Sequence, residues 1–389
     1  SNATNMVISD VTIRNAVSSI PNYNTSVLMV LNSAAIATVK NVIFEENDGY
    51  AVYVNDGVAN FDSVTFIIPQ NPDVDNINNS IYVYSNKATL NIAGTNEFGT
   101  MIRNVSGNIK VAGTNVFNGG ISNVSGIVNI DGMNTFNSSI SNARNGNITI
   151  SGDNTFTNLN ANKGGAITNI SSVLNILGNT KFIGNTSTLG GAIYLGSAST
   201  ANILASFADR GGAIYIDSAN DVVISGSFIN NTANELGGAI YSNSNLTIAA
   251  LGSNQVTFRG NLANGVSNAI YIDSSMSSIP TLTLNLSDTG VINFYDIVTG
   301  YEATTPINRY NINIISSTAD GDENDTAVNF YNYVNNANIT IEDVSVSLDA
   351  TDSLITGNTS SDDKKNISEE FLKNSSIKLV SGTLSLNTI

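Results

Sequence analysis

The sequence lacks cysteine, histidine and tryptophan in all of its 389 residues. Without cysteine the chain can form neither a disulfide nor a thiolate metal site. Charged residues make up only 12% of the chain, about half the usual share. No apolar run approaches the roughly 18 residues that a membrane-spanning helix needs. These absences disfavour a helical protein, whose faces need Glu, Lys, Arg and Ala.

The few charged residues are predominantly acidic. Asp and Glu number 31 against 15 Lys and Arg, which gives a formal net charge of −16. Nucleic-acid binding needs basic residues to neutralise phosphates, and anionic membrane surfaces repel a polyanion. We therefore expect no nucleic-acid partner, and no sequence feature indicates a cofactor.

The chain is rich instead in Asn, Ser, Thr and Gly, and it repeats itself. Between Ala93 and Phe156 it reads AGTNEF, AGTNVF, DGMNTF and SGDNTF, and a short alternating segment precedes each motif. The phenylalanines are Phe98, Phe117, Phe136 and Phe156, spaced by 19, 19 and 20 residues. A period of about 20 residues with several short strands predicts one coil of a β-solenoid.

We therefore predict an all-β protein, a right-handed parallel β-helix of roughly 15–19 coils stacked at about 4.8 Å. Inward apolar residues of successive coils should stack into ladders. The Gly and Asn before each phenylalanine should take left-handed backbone angles at a turn. Asn side chains of successive coils should also hydrogen-bond to one another.

A second motif pairs an aromatic residue and Asn with a Gly-Gly-Ala-Ile corner. It occurs as FIGN with GGAI, as FINN with GGAI, and as FRGN with SNAI. Further GGAI tetrads begin at Gly164 and Gly211. Repetition favours architecture: Phe and Ile should point inward, the glycines should form a crowded corner, and the residues after Asn231 should form an outer loop. The motif residues are Phe182, Asn185, Gly190, Gly191, Ala192, Ile193, Phe228, Asn231, Gly237, Gly238, Ala239, Ile240, Phe258 and Asn261.

These paired motifs resemble the passenger domains of the polymorphic outer-membrane proteins, a family of type V autotransporters. The segment INFYDIVTG at 292–300 is similar to a segment that follows the repeats in that family. The resemblance covers roughly residues 150–300. It implies a non-catalytic adhesin or surface-display passenger on the bacterial outer membrane surface, or one that is secreted. Its implied partner is a host-cell surface protein or glycan. Membrane contact would come only through a β-barrel domain absent from this chain.

Three segments are expected. Residues 1–3 look like a tag-cleavage remnant, and residues 4–280 form the regular β-helix. Residues 281–389 form a less regular continuation that holds 5 basic and 15 acidic side chains, a net charge of −10. A separate globular domain is the alternative for this last third. Residues 367–374 could form one or two helical turns.

The candidate binding residues are four tyrosines that each follow the Gly-Gly-Ala-Ile corner or its variant. Strand alternation should send them outward and place them in one exposed stripe. Aromatic rows can bind sugars or proteins, and the alternative is a ladder that only stiffens the helix. The residues are Tyr194, Tyr215, Tyr241 and Tyr271.

An enzyme is the alternative function, because parallel β-helices include polysaccharide lyases and hydrolases as well as tailspike-like proteins. Hydrolysis needs clustered carboxylates. Asp217 and Asp273 follow equivalent strands and could share a face, but the other carboxylates of the repeats are isolated. We predict no catalytic residue. A purely structural stalk is a third possibility.

No metal site is predicted, although one loop has the alternating oxygen ligands of a calcium loop. Asp320, Asp322 and Asn324 would supply these oxygens. Tyr331 stands where a calcium loop needs a bidentate Glu. A solvated acidic loop is the alternative.

Overall fold

The computed structural model describes most of the chain. Three sequence predictions lie outside the described residues: the tag remnant, the calcium loop with Asp320, Asp322 and Asn324, and the helical turns at 367–374. No helix among the described residues has the length and apolar character to cross a membrane. The described residues are 5–14, 26–45, 50–67, 81–210, 212–219, 221–275, 279–302, 308–317, 326–349 and 375–387.

The fold is an all-β parallel β-helix, as predicted. Two compact units divide the chain: residues 1–159 with 166–181, and residues 160–165 with 182–389. The first fifteen strands are β1 Asn5–Arg14, β2 Ser26–Glu45, β3 Tyr50–Ile67, β4 Ile81–Val83, β5 Ala88–Ala93, β6 Thr95–Phe98, β7 Ile102–Asn104, β8 Asn108–Val111, β9 Thr114–Phe117, β10 Ile121–Asn123, β11 Ile127–Ile130, β12 Met133–Phe136, β13 Ile140–Ala143, β14 Asn147–Ile150 and β15 Asp153–Thr157.

The remaining strands run from β16 to the end of the described chain. They are β16 Asn160–Lys163, β17 Ile167–Ile170, β18 Val173–Leu189, β19 Ile193–Leu195, β20 Thr200–Arg210, β21 Ile214–Ile216, β22 Val222–Ile229, β23 Thr232–Ala233, β24 Ile240–Ser242, β25 Leu246–Ala250, β26 Gln255–Arg259, β27 Leu262–Ala263, β28 Val266–Ser267, β29 Ile270–Ile272, β30 Thr281–Leu286, β31 Val291–Phe294, β32 Val298–Gly300, β33 Tyr310–Ser316, β34 Ala327–Phe330, β35 Ala337–Glu342, β36 Val344–Asp349, β37 Ser376–Leu379 and β38 Gly382–Asn387.

Stacked phenylalanines form the core of the first unit. Each ring lies over the ring of the previous coil, with centroids 4.3–5.6 Å apart. Parallel pairing in register produces this ladder, because the same strand position recurs in every coil. Seven residues occupy the position: Ile13, Phe44, Phe66, Phe98, Phe117, Phe136 and Phe156.

The second unit has its own phenylalanine ladder, with centroids 4.7–5.1 Å apart. Beyond Phe330 the same register continues through Leu348 to residue 386. The described strands after residue 280 therefore pair in parallel with those before it. The ladder comprises Phe182, Phe207, Phe228, Phe258, Phe294 and Phe330. These six phenylalanines and the positions of residues 348 and 386 define eight coils in the second unit. Together with the seven coils of the first unit, the described residues form fifteen coils, the lower end of the predicted 15–19.

Two asparagine ladders run through the first unit. In each, the amide nitrogen donates to the amide oxygen of the next coil at 2.7–2.9 Å. The same nitrogens also donate to backbone carbonyls of their own turn, so the buried amides close the corners. The ladders are Asn96–Asn115–Asn134–Asn154 and Asn104–Asn123–Asn142–Asn169.

The turn before each phenylalanine differs from the prediction in one respect. The glycines have left-handed angles, with φ of +75° at Gly94 and +84° at Gly113. The asparagines two residues later do not: Asn96 and Asn115 lie in extended strands and are buried. Glycine alone makes the reversal here. The asparagine is instead selected for its hydrogen bonds across coils.

The Gly-Gly-Ala-Ile corner is as crowded as predicted. Gly237 has a φ of +67°. A Cβ atom on Gly238 would lie 2.5 Å from the Asn268 carbonyl oxygen and 2.6 Å from the Leu262 backbone nitrogen, both in the next coil. Backbone atoms cannot move aside easily, so only glycine fits. Thr232 and Ala233, expected in the outer loop, instead form β23, which pairs with β27.

Candidate functional site

The four predicted tyrosines form one row on the second unit. Strands β19, β21, β24 and β29 each carry the sequence Ile-Tyr and pair in parallel, so the tyrosines occupy equivalent positions. The isoleucine before each is buried in the core. The corner glycines permit this arrangement, because they turn the chain into each strand at the same point. We call Tyr194, Tyr215, Tyr241 and Tyr271 the tyrosine row.

The rings of the tyrosine row stack on one another. Centroid distances along the row are 5.8, 4.4 and 5.9 Å, and neighbouring rings are within 14° of parallel. The faces of the inner rings are therefore covered by their neighbours. A ligand approaching from outside meets ring edges and polar groups.

The row is less exposed than the sequence predicts. Tyr215, Tyr241 and Tyr271 are partly exposed, whereas Tyr194 is buried at 3% exposure. Tyr215 stacks on one side of the Tyr194 ring, and the Lys163 ammonium lies 4.5 Å from the ring centre and 3.2 Å from the hydroxyl. All four tyrosines occupy the outward position of their strands, as predicted, but the predicted exposure is wrong for Tyr194, against which Lys163 lies.

Two carboxylates anchor the row. The Tyr194 hydroxyl donates to Asp217 at 2.8 Å, and the Tyr241 hydroxyl donates to Asp273 at 2.6 Å. Both acceptors belong to the coil that follows the donor. Each bond therefore ties one coil to the next and fixes the rotation of the ring.

The environment of the row shifts the pKa values of its members. Burial and the nearby Asp217 carboxylate raise the pKa of Tyr194 to about 12. Burial and the field of Asp273 raise the pKa of Tyr271 to about 12 as well. Burial acts to raise the pKa of Asp273, but hydrogen bonds from Ser275 and the Tyr241 hydroxyl hold it below its ordinary value. At neutral pH the row therefore presents neutral phenols beside an ionised carboxylate.

Asp217 and Asp273 do not form a carboxylate pair. Asn243 occupies the coil between them, and its amide nitrogen donates to Asp217 at 3.2 Å. Each carboxylate instead accepts a tyrosine hydroxyl. In the part of the chain that the structure describes, no group of three or more Asp or Glu residues is placed to hold a metal ion.

An open cleft of about 250 Å³ adjoins the row. Tyr215 and Tyr241 line one part of it, and Glu235 and Leu236 of the outer loop line another. Glu235 and Leu236 are both exposed. The cleft thus combines aromatic, apolar and acidic groups.

The family motif asparagines lie inside the fold. Asn185, Asn231 and Asn261 are fully buried beside the phenylalanine ladder. The Asn231 amide donates to the Asn261 oxygen at 2.8 Å, and the Asn261 amide donates to Asp296 at 2.7 Å. These asparagines therefore stabilise the turns of the β-helix, in agreement with the prediction that the motif forms a corner.

Asp296 ends this amide ladder, and the sequence analysis missed it. Its carboxylate is 4% exposed and also accepts backbone N–H groups of Gly260 and Asn261 at 2.9 Å. Burial raises the pKa of Asp296 above its ordinary value, and these donors act in the opposite direction. The sequence signal that could have indicated this role is the position of Asp296 in the FYD segment, one coil beyond Asn261.

Lys163 is the second residue that sequence reasoning missed. It lies 31 residues before Tyr194, outside the repeated motif, and only the coil register brings the two together.

Comparisons of the chain with protein-family models, with curated protein sequences and with solved structures found no match.

Proposed function

We propose that this protein is a non-catalytic recognition module, an adhesin or surface-display passenger of an autotransporter-like protein. It would act on the bacterial outer membrane surface or after secretion, and bind a host-cell surface protein or glycan. The tyrosine row beside the open cleft is the observation that carries the proposal. The resemblance of the paired motifs to passenger domains supports the cellular setting.

The row is suited to recognition because its side chains are already ordered before a partner arrives. Stacking and the hydroxyl bonds to Asp217 and Asp273 restrict the rings. A partner then loses less free energy to side-chain ordering on binding. Tyrosine also offers a large contact area with few rotatable bonds. The same two bonds occupy the carboxylates, which favours binding over acid–base chemistry.

Because the faces of the inner rings are covered, a sugar cannot stack on them. This favours a protein partner for the row, with contacts to ring edges, Leu236 and Glu235. A structural stalk is the second candidate function. The burial of Tyr194 favours it, since a covered ring can stiffen the coil but cannot reach a partner.

Host-cell binding by a double variant tests the proposal. Tyr215→Ser with Tyr241→Ser should leave the core intact and reduce binding at least fivefold. The matched control is Tyr295→Ser with Tyr331→Ser, which removes another stacked pair of the same unit, 4.6 Å apart. Loss of binding in the first variant alone supports recognition by the row. Equal binding by both variants and the parent would leave the row as a stiffening ladder.

A further inference from the structure

Four tyrosines of the first unit form a second aromatic cluster, independent of the tyrosine row. Tyr82 lies against Tyr50 and Tyr53, with centroids at 4.8 and 5.6 Å, and against Tyr84 at 5.9 Å. The Arg103 guanidinium lies 5.8 Å from the Tyr82 ring centre. We call these five residues the Tyr–Arg patch. Unlike the tyrosine row, it ends in an exposed ring, because Tyr84 is 47% exposed.

Arg103 has no acidic partner among the described residues. It follows Tyr53 and Tyr82 at the same position of successive coils. Its Nε atom is buried without a hydrogen-bond partner, and the ion pairs of the described chain involve other residues. The buried Nε is closed to a ligand, but Arg103 is partly exposed, and a guanidinium over an aromatic ring with no acidic partner can pair with an anion through its outer N–H groups.

The coils that carry Tyr82, Tyr84 and Arg103 and the coils that follow them differ in charge from the whole protein. Residues 81–150, all of them described, contain four basic and two acidic side chains, a net charge of +2 in a chain of −16. The basic residues are Lys87, Arg103, Lys110 and Arg144, and the acidic residues are Glu97 and Asp131. The coils that follow Tyr82 are thus more basic than the chain as a whole, while the coil that holds Tyr50 and Tyr53 contributes Asp56 and Asp62 and no basic residue.

Hydroxyl groups continue the line that the patch begins. In the coils after Arg103, the same position is occupied by Ser122, Ser141 and Thr168, each at least partly exposed. Successive coils are about 4.8 Å apart. The surface thus offers an exposed aromatic ring, a cation and then hydroxyls along one line.

We propose that the Tyr–Arg patch binds an acidic oligosaccharide. A sugar carboxylate pairs with the Arg103 guanidinium, and the apolar face of a sugar ring packs on Tyr84. Neighbouring sugar hydroxyls form hydrogen bonds with Ser122 and Ser141. An acidic peptide would use the same cation, but the run of surface hydroxyls favours a polyhydroxylated chain.

Titration with oligogalacturonate, a carboxylated sugar chain, tests the proposal on the full chain. We expect the parent protein to bind it, and Arg103→Gln and Tyr84→Ser each to weaken binding at least tenfold. The fully methyl-esterified oligomer, which lacks the charge, should bind at least tenfold more weakly. Lys110→Gln is the matched control. Lys110 lies on β8, the strand that follows the strand of Arg103 along the chain. Its replacement removes the same charge and should change affinity less than threefold.

Each other outcome overturns the proposal. Equal losses for Arg103→Gln and Lys110→Gln would show that only net charge matters. Equal affinity for the methyl ester would remove the carboxylate from the interaction. If oligoglutamate binds as tightly as the sugar, the patch recognises acidic peptides instead. Absence of binding by a parent protein whose folding is verified by circular dichroism would also overturn the assignment.

Discussion

The two units build similar coils in different ways. In the first, two buried asparagine ladders close the corners of coils that step by 19 or 20 residues, except for the last step, from Asn142 to Asn169, of 27. In the second, glycine corners and a shorter asparagine ladder that ends in Asp296 close the turns. The phenylalanines of successive coils there are 21 to 36 residues apart. The first unit holds 7 basic and 11 acidic residues, net −4, and the second holds 8 and 20, net −12.

This difference teaches where function can reside on such a fold. Equal coil lengths allow the same amide to recur in every coil, which gives a regular and internally satisfied structure. Unequal lengths place extra residues in outer loops, and Glu235 and Leu236 of one such loop line the cleft beside the tyrosine row. Variation in the loops, on a constant ladder of phenylalanines, creates the candidate site.

The largest expected effect comes from interrupting an asparagine ladder. Asn123 accepts from Asn104 and donates to Asn142 and to the Gly126 carbonyl. Asn123→Ala leaves these buried partners unsatisfied and should lower the free energy of unfolding by about 4 kcal/mol. Denaturant unfolding measures this.

Asn129→Ala is the control for this ladder. Asn129 is exposed on β11, a few residues along the chain, and its replacement should cost less than about 0.5 kcal/mol. Similar losses in the two variants would show that the buried ladder has no special role in the stability of the first unit.

A side chain at the crowded corner should have the next largest effect, this time in the second unit. Gly238→Val places a branched side chain against the backbone of Leu262 and Asn268 and should cost about 3 kcal/mol. The damage should be local, because coils contact only their neighbours. Hydrogen exchange should show lost protection at residues 230–270, with Thr247→Val as the control. Unchanged protection would mean that the corner has room for a side chain.

The carboxylate that ends the short ladder gives the third prediction. Asp296→Asn replaces one acceptor oxygen by a donor that faces N–H groups of Gly260 and Asn261. We expect a loss of about 2 kcal/mol in the free energy of unfolding at neutral pH. Ser287→Ala, elsewhere in the same unit, is the control. A stability equal to that of the parent would show that an amide serves as well as the carboxylate at this end.

The sequence predicts the repeated parts of this molecule well. Phe98 to Phe156 recur at nearly constant spacing, so their ladder follows directly from the period. Tyr215 and Tyr241 follow the same corner motif, so their alignment is predictable too. Contacts between non-equivalent positions are not: Lys163 covers Tyr194, and Asp296 replaces an asparagine, because coil lengths differ and set which residues meet. The Tyr50–Tyr84 cluster was missed for the same reason, since it precedes the regular repeats.

The smallest expected effect concerns pH. The folded pKa of Tyr194 is raised from 10.0 to about 12, so the neutral phenol stabilises the fold below about pH 10 and this stability is lost as pH rises toward 12. Tyr194→Phe cannot ionise and should lose stability less steeply over that range. At neutral pH it should be less stable than the parent by about 1.5 kcal/mol, the lower end of the range for a hydrogen bond to a charged group.

Urea unfolding at a series of alkaline pH values measures this effect. Tyr84→Phe is the control, because Tyr84 is exposed and lies in the first unit. If the free energy of unfolding falls equally steeply with pH in the parent and in Tyr194→Phe, the Tyr194 hydroxyl is not buried beside a carboxylate.

Every function proposed for the tyrosine row depends on the register that aligns Tyr215 with Tyr241, and disulfide trapping tests that register most directly. The natural absence of cysteine makes the measurement clean. Tyr215→Cys with Tyr241→Cys should form a disulfide under mild oxidation, because adjacent in-register strands place the Cα atoms about 5 Å apart. Tyr215→Cys with Asn243→Cys, two residues out of register, should remain reduced. Rapid crosslinking of the second pair and not the first would contradict the account.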